Sequence, residues 1–293
     1  MNQIKTVALL GLLSGILVGI GYWLGGSGGA LIGLAIAAVT NFVSWFSSDK
    51  IALAAYRAQP ISREQAPKIY EMVERLCQRA NLPMPRLYVV PSQGANAFAT
   101  GRNPQNAAVA VTQGIVGLLN EQELEGVLAH ELSHVKNRDT LTQAVAATIA
   151  GAITYFARVM QYGMMFGGSR NRQNGGNPIG LLLAIFLAPV AATVVQMAIS
   201  RTREFAADAG AARMTGNPRA LASALQKLQA GAQRAPLNAN PSFEPLLIIN
   251  SVSGQFMGSL FSTHPPTQAR IENLLQIEQE LGRKPIIPGS SEL

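Results

Sequence analysis

The chain alternates between long uncharged apolar runs and stretches where apolar residues recur at helical or strand spacing. Residues 6–24 carry no charge and are nearly long enough to cross a bilayer as a helix. The break Gly25-Gly26-Ser27-Gly28-Gly29 leads into a second such run, residues 30–46. A cleaved signal peptide has a shorter apolar region and a small-residue cleavage site, and is not followed at once by another span. A retained helical hairpin is therefore expected. Gly11, Gly15 and Gly19 recur every four residues, which either suits close helix–helix approach in lipid or is simply tolerated there.

From residue 47 to residue 139 the pattern turns polar. Residues 66–80 place Ile69, Val73, Leu76 and Cys77 on one helical stripe, with Ser62 as a candidate cap. Residues 87–90, 95–100 and 107–112 read as short strands, the last two joined by a turn at Gly101-Arg102-Asn103-Pro104. Asn120 and Glu123 form a capping-box pattern ahead of a helix over 121–136. Residues 140–156 and 178–199 are again apolar, separated by a Gly- and Asn-rich loop at 167–177. Helical patterns return at 201–214, 218–233 and 266–281, and no internal repeat is found.

Composition strengthens the membrane reading. Hydrophobic residues make up 48% of the chain and charged ones 13%, about half the charged share of a soluble domain. The net charge of +7 is dispersed, without a basic stripe interleaved with aromatics, so nucleic acid is not an expected partner. Four spans would put both polar parts on one side, and their basic residues favour the cytoplasm. Arg158, Arg170 and Arg172 oppose this picture. Either their loop crosses despite its charge, or the third and fourth segments form a hairpin that does not fully span. Cys77 is the only cysteine, which excludes an intramolecular disulfide and suits a reducing compartment.

The chemistry centres on His130-Glu131-Leu132-Ser133-His134, which holds two of the three histidines. Positions i and i+4 share a helix face, so both imidazoles can reach one zinc ion. Zinc acidifies a water to a pKa of about 7 and polarises a carbonyl. Glu131 can take that water's proton as general base without being a ligand. A catalytic zinc needs a third protein ligand. Glu204 is a candidate, with Asp208 one turn on to hydrogen-bond the far nitrogen of a ligand imidazole, that of His130. The pair also reads as an ordinary solvated acidic pair. His264 reads equally as a ligand, a donor to an oxyanion, or a residue starting a helix before Pro266.

At these residues the chain resembles the HtpX family of bacterial membrane metalloproteases, relatives of the CAAX prenyl endopeptidases and of a mitochondrial inner-membrane quality-control protease. The likeness runs in order through the hairpin with Ser48-Asp49-Lys50, then Asn96-Ala97-Phe98-Ala99-Thr100-Gly101, then the histidine motif continuing to Asn137-Arg138-Asp139. Glu204-Phe205-Ala206-Ala207-Asp208 and Thr263-His264-Pro265-Pro266 complete it. It implies zinc-dependent endoproteolysis of misfolded membrane proteins in quality control and stress response, at the cytoplasmic face of the inner membrane. It implies Glu204 as third ligand, Asp208 beside a ligand imidazole, His264 as a catalytic group near the substrate, and Asn96 to Thr100 as an edge strand on which an extended substrate pairs.

The expected fold is mostly α with a small β-sheet, a zincin-like domain of gluzincin type plus transmembrane helices. Residues 1–46 form the hairpin, 47–139 the first cytoplasmic part, 140–199 the third and fourth membrane segments, and 200–293 the part completing the domain. One zinc per chain, polypeptide substrates and a lipid bilayer are the expected partners; the sequence does not give an oligomeric state. A silent scaffold of the same fold would have lost a ligand or the base. A prenyl-processing enzyme would enclose its site in a larger helical chamber than four spans can build. A motif buried in a span is opposed by the acidic residues Glu121, Glu123 and Glu125.

Overall fold

The computed structural model describes residues 2–149, 201–234, 246–248 and 265–283. The chain begins with α1 (Asn2–Ala55), broken by non-helical backbone at Gly25 and Gly26, the latter at φ 60°. Its two arms, Ile4–Trp23 and Gly25–Ala55, are each long and apolar enough to cross a membrane, with mean hydropathies of 2.0 and 1.7. Ile4, Val7, Tyr22, Trp23, Leu31, Ile32, Val39 and Phe42 are exposed along them, a surface that lipid suits far better than water.

The arms touch where glycine removes the side chain. A Cβ on Gly21 or Gly29 would collide with the other's carbonyl oxygen, and one on Gly33 with that of Leu17. Gly11, Gly15 and Gly19 face open space instead. The close approach belongs to Gly21, Gly29 and Gly33, which lie on the faces that the two arms turn toward each other. Deeper along the hairpin, Asn41 Nδ2 donates to Ser14 Oγ (2.9 Å).

Helix α1 does not stop at Phe46 but runs on to Ala55. Ser48, Asp49 and Lys50 look like a boundary in sequence, yet Ala52, Leu53 and Tyr56 beyond them pack on the sheet. That sheet contains β1 (Gln59–Pro60), β2 (Arg86–Val90), β3 (Ala97–Thr100) and β4 (Ala108–Thr112) in the order β1-β2-β4-β3. The β2–β4 pair is parallel and the others antiparallel, so β3 is an edge strand. Period-two alternation sends Leu87, Val109 and Val111 into the main core, and Val90, Phe98, Ala108 and Ala110 toward α1.

The main core gathers α2 (Pro67–Ala80), α4 (Glu121–Lys136), α5 (Arg201–Thr215), α6 (Pro218–Arg234) and α7 (Thr267–Arg283) on one sheet face. The short α3 (Gln113–Leu118) follows β4 directly. Both polar parts of the sequence thus share one core. The N-cap of α2 is Ala66, with Pro67 supplying the preset first turn, and no side chain caps it. Ser62 sits one turn too early, its carbonyl accepting from Ala66 N. Burial pushes the Cys77 thiol up to about 11, leaving it an inert core group.

Residues 139–149 are helical, and Leu141, Val145 and Ile149 pack against Leu9 and Leu13 of the hairpin. Thr142 and Thr6 share a buried hydrogen bond there (2.9 Å). The third apolar stretch therefore starts alongside α1. Its continuation and the fourth stretch lie outside the described residues.

Candidate metal centre

Helix α4 carries the histidines, and its start is fixed by a complete capping box. Asn120 Oδ1 accepts from Glu123 N, and Glu123 Oε2 accepts from Asn120 N. Glu123 also takes bonds from Ser223 and Lys227 of α6, which locks the helix into the core. Helix α5 crosses α4 so closely that a Cβ on Gly210 would lie 2.5 Å from Ser133 Oγ. This crossing sets Glu204 and Asp208 opposite the two histidines.

His130 Nε2 and His134 Nε2 lie 3.1 Å apart. Glu204 lies 3.6 Å from each of them, through Oε2 and Oε1 respectively. Ligand atoms on a tetrahedral zinc, at bond lengths near 2.0–2.1 Å, stand roughly 3.3 Å from one another. All three groups are buried. The tautomers point the same way. His130 Nδ1 donates to Asp208 Oδ1 (2.9 Å) and His134 Nδ1 to Asp139 Oδ2 (3.0 Å). With both Nδ1 protons so used, neutral rings turn two lone pairs toward each other, an arrangement that a cation between them relieves. Four carboxylates, those of Glu131, Glu204, Asp208 and Asp139, surround the two imidazoles, with Arg270 and Arg203 beside them.

Glu131 follows on the same helix, and its Oε2 accepts from Ala99 N of β3 (2.8 Å). Burial raises its pKa, and the nearby Glu204 charge adds to this; the two imidazoles and the Ala99 N–H pull the other way. Burial opposes the charge on His130 too, but Asp208 and Glu204 outweigh it and lift the imidazole to about 9 in the metal-free site.

The bond from Thr112 N to Asn96 O sets the alternation along β3, so the 98–110 and 100–108 pairs bond across the ladder. Ala97 and Ala99 turn their backbone groups outward. Their N–H groups are already used: Ala97 donates to Asn96 Oδ1 and Ala99 to Glu131. Asn96, Ala97, Phe98, Ala99 and Thr100 are all buried. His264 lies outside the described residues, next to the buried Pro265 that leads into α7.

A profile of peptidase family M48 matches residues 63–278, most of the chain. A protease HtpX homolog from Trichormus variabilis is 65% identical over 283 residues, 96% of this chain and 98% of its own. Another, from Pyrococcus furiosus, is 48% identical over 280 residues, 95% and 97% of the two chains. The chain belongs to the HtpX family of M48 metalloproteases. Its fold is similar to the crystal structure of S. mikatae Ste24p, with a TM-score of 0.51 at 18% identity over 93% of this chain. The match spans 65% of that longer chain, so it speaks to fold alone.

Three residues in this HtpX-family site were not singled out by spacing. Asp139 lies past the end of α4, and only the left-handed Arg138 (φ 57°) turns the chain so that it reaches back to His134. Arg203 stands 3.7 Å from Asp139, and among the described residues none of its guanidinium nitrogens has a hydrogen-bond partner. Arg270 gives Asp208 a two-pronged bond, Nε to Oδ2 (2.8 Å) and Nη2 to Oδ1 (2.6 Å). Its signal was available: Arg270 falls on the apolar stripe of α7 with Leu274 and Ile277, where a cation stays only with a buried partner.

Proposed function

We propose that this HtpX-family protein is a membrane-anchored endopeptidase acting on unfolded or misfolded membrane proteins, with one zinc ion held by His130, His134 and Glu204. The observation that carries the reading is the pair of Nε2 atoms 3.1 Å apart beside a buried carboxylate, with both Nδ1 atoms tied to aspartates. When bound, zinc supplies Lewis acidity toward a peptide carbonyl and toward water.

Glu131 is the general base, taking the proton of the attacking water and returning it to the leaving amine. The Ala99 N–H fixes one of its oxygens and leaves the other to meet the water. Its raised pKa suits a group that must both accept and return a proton. Asp208 orients His130. Residues 96–100 are the strand along which an extended peptide adds, reading backbone more than side chain, which suits broad substrate choice. An entering peptide competes for the outward groups of Ala97 and Ala99. His264 is assigned to the substrate side on family resemblance.

In this reading, residues 1–46 anchor the enzyme and 140–199 add two further membrane segments. Residues 47–139 and 200–293 form one cytoplasmic domain at the bacterial inner membrane, which the basic residues of those parts favour. The biological role is membrane-protein quality control under stress. The deciding experiment compares purified wild type with Glu131→Gln in detergent, on an unfolded protein substrate with zinc present. Cleavage by wild type alone, with zinc still bound by the variant, supports the reading. Equal cleavage by both removes Glu131 as base, and cleavage by neither favours a silent scaffold.

A further inference from the structure

Arg270 is 1% exposed and its guanidinium is used on two sides. One side grips Asp208, which holds the His130 ring, and Nη2 on that side also lies 3.4 Å from His130 Nδ1. On the other, Nη1 donates to the backbone oxygen of Ile248 (2.8 Å). The Ile248 N–H continues the line, donating to Asn96 Oδ1 (3.0 Å). That same oxygen accepts from Ala97 N (2.9 Å), the first residue of β3. Asn96 is pinned to β4 as well, its N–H on Thr112 Oγ1 and its carbonyl under Thr112 N. Two residues further along, Ala99 holds Glu131.

We propose that Arg270 is a positioning residue that ties the metal centre to the substrate strand, orienting His130 through Asp208 and setting the start of β3 through the Ile248 peptide and Asn96. The inference rests on the metal and strand assignments proposed above. An ordinary buried ion pair explains the grip on Asp208, but not the second arm, which ends on the strand that holds the base. The planar fork matters here. A lysine is a single point charge on a flexible stem, and cannot span a carboxylate and the opposite carbonyl in this fixed geometry.

The test uses the full chain in detergent and needs no cleavage, so it fails or succeeds separately from the protease assignment. Arg270→Lys and the near-isosteric Asp208→Asn are compared with wild type by chelator-competition zinc titration. Backbone hydrogen exchange is then followed in the metal-free protein. Zinc affinity should fall roughly 10–100-fold in both variants, as for other partners of metal-bound imidazoles. Exchange at Ala97 and across 96–100 should quicken roughly tenfold in Arg270→Lys, and less in Asp208→Asn, while 86–90 stays unchanged as a separately stabilised part of the sheet. Weakened zinc with unchanged exchange at 96–100 in both variants would overturn the coupling. Uniformly faster exchange through the whole sheet would reduce Arg270 to a structural ion pair. Should Arg270→Lys fail to fold, Asp208→Asn still reads the same link.

Discussion

Each imidazole of the proposed metal site has its own aspartate, and each aspartate an arginine: His130 with Asp208 and Arg270, His134 with Asp139 and Arg203. The two lines are unequal. Asp208 receives two short bonds from its arginine, whereas Arg203 stands 3.7 Å from Asp139. Burial works against the Asp208 charge, but Arg270 and His130 outweigh it and hold its pKa below the usual carboxylate range. Asp139→Asn should therefore weaken zinc binding by roughly 10–100-fold while leaving the fold intact. A chelator titration beside a circular dichroism spectrum checks this, and unchanged affinity would remove Asp139 from the site. At this scale the histidine–glutamate motif was legible because helical spacing alone puts its side chains on one face. Asp139 was not, because a left-handed residue rather than a period brings it back.

Among the elements, α4 depends most on local sequence and α5 most on fit. Asn120→Ala removes half the capping box and should cost about 1 kcal/mol in denaturant unfolding of the soluble domain. Glu123 adds a pH signature. Burial disfavours its charge, but Lys227, Ser223 and the Asn120 N–H overcome this and depress its pKa. A depressed carboxylate stabilises the fold above its unfolded pKa, and that contribution is lost as pH falls through the folded value. The stability gap between wild type and Glu123→Gln should thus be full at neutral pH and close in acid below the ordinary carboxylate range. Equal gaps at pH 7 and pH 3 (about four units apart) would contradict it. The α4–α5 crossing is a matter of space. Gly210→Ala forces a methyl onto Ser133 and should cost about 1–3 kcal/mol, with weaker zinc binding because Glu204 and Asp208 ride on the same helix. No loss of zinc affinity would show that the crossing tolerates a shift.

For the whole molecule, the hairpin and the domain built on the sheet are joined without a flexible linker, since α1 itself delivers Ala52, Leu53 and Tyr56 to the sheet. The helix that carries the two histidines is thereby tied to the hairpin through the sheet. Trp23 lies at the hairpin's kink, 59% exposed. In a Trp45→Phe variant reconstituted in liposomes, brominated lipids should quench most of its emission. Emission insensitive to those lipids would place the hairpin outside the membrane.

The sequence by itself determined the apolar hairpin, the capped active-site helix, the short strands and the two-histidine face. Each of these is set by periodicity, caps or length within a few residues of chain. Only the tertiary structure decided what meets across the chain. It put Glu204 opposite the histidines, Arg270 under Asp208, and Ala99 on Glu131. It also chose Gly21, Gly29 and Gly33 over Gly11, Gly15 and Gly19 for the hairpin contact. These pairings depend on how helices cross and where a hinge bends, and no local pattern encodes the distance between segments far apart in the chain.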